Sequence, residues 1–65
     1  MTYGKAAKAA KAKAVKWNDN YVVYFDSEEG QEGYWVKQED DFYHEADMFQ
    51  SPQETFFGNG QSEAM

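Results

Sequence analysis

Residues 21–39 read YVVYFDSEEGQEGYWVKQE, and the fold follows from how that stretch is read. Residues 21–26 are a dense run of β-branched and aromatic side chains, the composition of a strand. Alternation sends Tyr21, Val23 and Phe25 to one face and Val22, Tyr24 and Asp26 to the other. The polar SEEGQEG segment with its two glycines is a hairpin connection of the longer kind. Residues 34–39 supply the returning strand, with Tyr34 and Val36 opposite in facing to Trp35 and Lys37.

Outward to the N-terminus, residues 2–16 read TYGKAAKAAKAKAVK. Ala and Lys are among the strongest helix formers. Thr2 is placed to cap the first turn. At 100° per residue Tyr3, Ala6, Ala7, Ala10, Ala14 and Trp17 share a face, while Lys5, Lys8 and Lys16 point away. Such a small-residue face lets a helix lie close on a sheet, with Tyr3 and Trp17 gripping at its ends. The Trp17-Asn18-Asp19-Asn20 segment is the break, since Asn and Asp tolerate left-handed backbone.

Outward to the C-terminus the pattern is less regular. In residues 40–50, Phe42, His44, Ala46 and Met48 alternate with Tyr43, Glu45, Asp47 and Phe49, which predicts a third antiparallel strand. A helix is the competing reading, because Phe42, Ala46 and Phe49 share a helical face. Residues 51–58 predict a short helix: Ser51 as N-cap, Pro52 at the first helical position, Glu54 completing a capping box, Gly58 and Gly60 as stops. Residues 59–65 are expected to be a frayed tail. The expected architecture is therefore α+β in a single domain, 1–65. An N-terminal helix packs on a small antiparallel sheet of two to three strands, followed by a short C-terminal helix.

A 65-residue chain hides only about 60% of its surface on folding. Cysteine is absent, which excludes disulfides and thiolate zinc sites. Leu and Ile are absent too, so twelve aromatic residues and eight alanines must build the core. No apolar run approaches the ~20 residues of a membrane span, and the lysine-bearing N-terminus lacks a signal-peptide apolar region. A cytoplasmic location is expected, in the host cell if the chain is phage-encoded.

Charge is divided along the chain. Five of the six lysines precede residue 17, and all twelve acids lie from Asp19 onward, giving +5 for residues 1–18 and −11 for residues 19–65, which sum to −6. Asp26, Glu28, Glu29, Glu32, Glu39, Asp40, Asp41, Glu45 and Asp47 gather on the hairpin loop and strand ends. They sit among aromatics, of which Tyr24 and Trp35 are the candidate anchors. These eleven residues are the candidate partner-binding set. An array of carboxylates on a rigid sheet imitates the regular charge of duplex phosphates, and exposed rings add anchor contacts.

Catalytic and cofactor chemistry lack their parts. His44 is the only histidine and has no recognised metal-ligand spacing with Asp40, Asp41, Glu45 and Asp47. The EF-hand pattern fails around residues 26–32, where Gly30 is misplaced and the closing Glu is missing. No phosphate-binding glycine loop and no cysteine nucleophile are present. The chain is expected to be a monomer that binds, with no enzyme activity, no cofactor and no metal.

Tiny size, absence of Cys and an acid-rich aromatic body resemble the small phage-type inhibitors that mimic DNA, the anti-CRISPR proteins. The resemblance is one of class and is carried by Asp26 to Glu32 and by Glu39-Asp40-Asp41 through Glu45 and Asp47. It implies occupation of the DNA-binding surface of a CRISPR effector, a type I surveillance complex in particular. The lysine-rich first helix departs from a uniformly acidic mimic. Two other readings compete. One is an accessory or antitoxin-like interaction module working through an aromatic patch. The other is a nucleic-acid binder using the lysine helix, against which the acidic remainder would repel phosphates.

Overall fold

A computed structural model describes all residues, 1–65. The elements in chain order are helix α1 (Tyr3–Trp17), strands β1 (Tyr21–Asp26) and β2 (Gly33–Gln38), helix α2 (Glu39–Glu45), and strands β3 (Gln50–Phe56) and β4 (Ser62–Ala64). The strands form one antiparallel sheet in the order β2-β1-β3-β4. The two helices lie on opposite faces of it.

α1 forms as its composition requires. The Thr2 side chain accepts a hydrogen bond from the Lys5 amide, and the helix ends at Asn18 in the left-handed conformation, φ 50°. Ala6, Ala10 and Ala14 are fully buried and form a cluster with Val23 and Phe56, flanked by Tyr21, Tyr34 and Val36. At the helix start the Tyr3 ring meets Tyr34 edge-on at 5.2 Å, and its hydroxyl donates to Glu54. Glu54 also accepts from the Ser62 hydroxyl at 2.8 Å, so one carboxylate joins α1, β3 and β4. The Glu54 hydrogen bond pushes the Tyr3 phenol up to about 12. Trp17 does not grip the sheet as expected: it is 62% exposed, with Lys16 Nζ 5.1 Å from its ring centre.

The β1–β2 hairpin has the expected facing, and Tyr24 stands opposite Trp35 in register. Downstream, three expectations are corrected. Residues 40–50 are not a third strand. Residues 39–45 are helical, because Gln38 caps the Asp41 amide at 3.0 Å and Glu39, Asp40 and Asp41 occupy a first turn that favours negative charge. Only Phe42 of the alternating set is buried, against Val22 and Tyr24, while Met48 is 88% exposed.

Nor is 51–58 a helix. Residues 50–56 are β3, a strand that closes the second edge of β1. A capping box is worth on the order of 1 kcal/mol. The strand instead gains a hydrogen-bonded ladder and buries Thr55 and Phe56 on opposite faces. Pro52 is tolerated because the β1–β3 register shifts between Val23 and Tyr24, beside it, and because β4 pairs only with Glu54–Phe56.

The tail is not frayed either: residues 62–64 are β4, and the glycines expected to stop a helix turn a hairpin, with the Gly60 amide bonded to Phe57 O at 2.9 Å. The sheet thus has four strands, and its short second helix is mid-chain rather than C-terminal.

Gly58 fixes how the two ends of the fold meet. A Cβ there would lie 2.9 Å from the Asn18 carbonyl carbon and Oδ1 and 3.0 Å from the Asp19 amide nitrogen. Two of those atoms are backbone and cannot turn aside. Gly58→Ala is expected to cost roughly 1–3 kcal/mol, read as a lowered urea midpoint. A midpoint equal to wild type would show that the β3–β4 turn and the α1–β1 turn are not in contact.

Candidate acidic interaction site

The site begins at Asp26, the last residue of β1. It is 5% exposed, held there because alternation turns it to the α2 face between Gly33 of β2 and Gln50 of β3. Its Oδ1 accepts from the Glu28 amide at 2.9 Å, an Asx turn that starts the hairpin loop. Its Oδ2 accepts from Gln50 Nε2 at 3.2 Å. Gly30, at φ 86°, lets the loop turn back over the strand end.

These constraints form a cleft of about 380 Å³. Tyr24, Asp26 and Trp35 are its strand-borne walls, and Glu28 and Glu29 stand on its loop side. Gln31 and Gln50 complete it. The Trp35 indole is immobilised by its Nε1–H, which donates to Gln31 O at 2.7 Å. Tyr24 is 7% exposed and packs on Phe42 at 4.9 Å between ring centres, and its burial raises the phenol pKa.

Five of the eleven sequence candidates therefore converge here: Tyr24, Asp26, Glu28, Glu29 and Trp35. No family model, curated protein or solved structure matches this chain.

The remaining candidates are spread around the cleft. Glu39, Asp40 and Asp41 form the first turn of α2, at the far end of the sheet face, where Glu39 Oε1 accepts from Asn20 Nδ2 at 3.2 Å. Glu45 closes α2 and pairs with Lys37 Nζ at 3.4 Å. Asp47 caps the following turn, accepting from the Phe49 amide at 2.9 Å. Glu32 is exposed in the hairpin loop outside the cleft. His44 is exposed on α2, and no three His, Asp or Glu side chains are arranged to hold a metal ion.

Two contributors escaped the sequence reading. Gln50 faces Asp26 because 50–56 is a strand paired with β1, and a reading that ends one strand at residue 50 and starts a helix at residue 51 hides that register. Glu63 joins the α2 face through its pairing with Thr55 and lines a second hollow of about 200 Å³ with Glu39, Tyr43 and Met65. The lysines lie elsewhere. Lys5, Lys8, Lys11, Lys13 and Lys16 are all on α1, across the sheet. Lys37 alone faces the acids, and its exposed pair with Glu45 contributes at most about 1 kcal/mol. No helix is long and apolar enough to cross a membrane.

Proposed function

We propose that this chain is a non-enzymatic inhibitor whose acidic face occupies a basic, nucleic-acid-binding surface on another protein. The target implied by the resemblance is a type I CRISPR surveillance complex, blocked at target-DNA binding. One observation carries the reading: the sheet separates the charges. Glu28, Glu29 and the carboxylates of α2 lie on the side of Tyr24 and Phe42, and the lysines of α1 on the other. Packed layers sit about 10 Å apart, so α1 is more than a Debye length (about 8 Å at physiological salt) from the α2 face. The lysine helix therefore leaves the acidic face free to act as a one-sided mimic. From Glu39–Asp41 to the cleft the acids run along a six-residue strand, about 20 Å. Over that length one strand of duplex DNA presents roughly six phosphates.

Glu28→Lys with Glu29→Lys reverses two exposed charges at the cleft mouth. The double variant is expected to keep its melting curve and to lose at least about tenfold in inhibition, measured as target-DNA mobility shift by a purified type I complex across a salt titration. A folded double variant that inhibits like wild type would remove charge mimicry.

A second reading has its own observation. Tyr43 and Met65, 56% and 67% exposed, rim the smaller hollow and offer an apolar contact. An interaction module of that kind would keep its partner at ~0.5 M salt, where exposed charges are screened within a few ångströms.

A further inference from the structure

We propose that the cleft between the β1–β2 loop and Trp35 is a receptor for one arginine side chain, the anchor by which a basic partner is gripped. This rests on the reading of the acidic face as a surface for a basic partner and names the group it takes.

The cleft is more than a group of carboxylates. Asp26 is nearly fully buried yet has no cation beside it, since the protein's one salt bridge is Lys37 with Glu45. Buried carboxylates are normally paired. The two hydrogen bonds it accepts leave about half its acceptor capacity free. Gln50 Oε1 is buried without any partner. The Tyr24 ring is more than nine-tenths buried, and its hydroxyl, bonded to no protein group, keeps contact with solvent.

Three donors of the wall, by contrast, are spent internally. Trp35 Nε1–H goes to Gln31 O, Gln50 Nε2 to Asp26, and the Glu28 amide to Asp26. A ligand that satisfies this wall must bring positive charge and several N–H groups. Guanidinium carries five N–H donors in a planar fork. It is also weakly hydrated and stacks on aromatic faces, which a compact, strongly hydrated ammonium does less well. The half-buried indole, pinned by its own hydrogen bond, is a preformed wall for that plane. The volume, about 380 Å³, admits the head group with part of its stem.

The test uses Nα-acetyl-arginine amide as the probe, titrated into the isotope-labelled full chain at constant ionic strength. The shifts of the Trp35 indole N–H and the Gln50 side-chain amide are followed by NMR. Saturable, localised shifts are expected, with the lysine analogue at least about tenfold weaker and the neutral citrulline analogue inert. Glu28→Gln with Glu29→Gln, both exposed, is expected to weaken binding while the melting curve is unchanged. Trp35→Met should weaken it about tenfold, read at the Gln50 amide.

Equal shifts from the lysine analogue would overturn the guanidinium assignment, and shifts no larger than those from sodium chloride would overturn the site. Either result leaves the mobility-shift outcome for the whole acidic face untouched. Conversely, arginine binding by a chain that fails to inhibit would keep the cleft and sink the DNA-mimic reading.

Discussion

Replacing Phe42 by alanine is expected to lower stability by about 3–5 kcal/mol, the largest effect of any single truncation on the α2 side. Phe42 is 1% exposed and is the only buried residue of α2. A seven-residue helix does not persist on its own in water, so its position depends on this ring among Val22, Tyr24 and Trp35. A domain of this length has a total stability of roughly 3–10 kcal/mol, so the variant stands at or near the edge of folding. Its Trp35 fluorescence should report early exposure of the sheet face in a urea titration. Because α2 carries Glu39, Asp40, Asp41 and Glu45, and its exit loop leads into Gln50, the acidic face should be lost with it. A loss below about 1 kcal/mol would mean that α2 is not held through Phe42.

The same ring shows where sequence patterns stop being informative. α1, β1 and β2 are legible because their signals are local: an Ala/Lys face with a Thr2 cap, a β-branched run, a glycine-bearing hairpin. Residues 40–50 carry two periods at once. The local signals that favour a helix there are the Gln38 cap and three acids in a first turn, and Phe42 then holds that helix on the sheet. For residues 51–56 the local pattern points the wrong way. Ser51-Pro52-Gln53-Glu54 is a sound helix start in isolation, but the unpaired edge of β1 is a stronger demand, and it is visible only once the hairpin exists.

The consequences for the site are direct. The hairpin half of the cleft, Tyr24, Asp26, Glu28, Glu29 and Trp35, could be named from sequence. The Gln50 wall could not, because its register with Asp26 is a long-range fact. The charge division was legible along the chain, but not its meaning in space. That meaning comes from α1 and α2 lying on opposite faces of one sheet.

On the other face, replacing Ala10 by leucine is expected to cost about 3 kcal/mol. Ala6, Ala10 and Ala14 have no exposed surface, and α1 approaches Val23 and Phe56 as closely as methyl groups allow. A leucine at the middle position has no void to enter. It must lift the helix or push Val23 and Phe56 off their rotamers, and it opens the Tyr3–Glu54–Ser62 junction at the helix start. The comparison that isolates packing is Ala12→Leu, at an exposed position of the same helix, expected to stay within about 0.5 kcal/mol of wild type. Both variants keep the charge and nearly the same helix propensity, so the difference between their urea midpoints measures the fit of α1 alone. Equal midpoints would mean that the helix does not rest on the sheet through its alanines. A large difference accompanied by intact arginine-amide shifts at Trp35 would show that the lysine face and the acidic face are built independently, with the sheet as the only element they share.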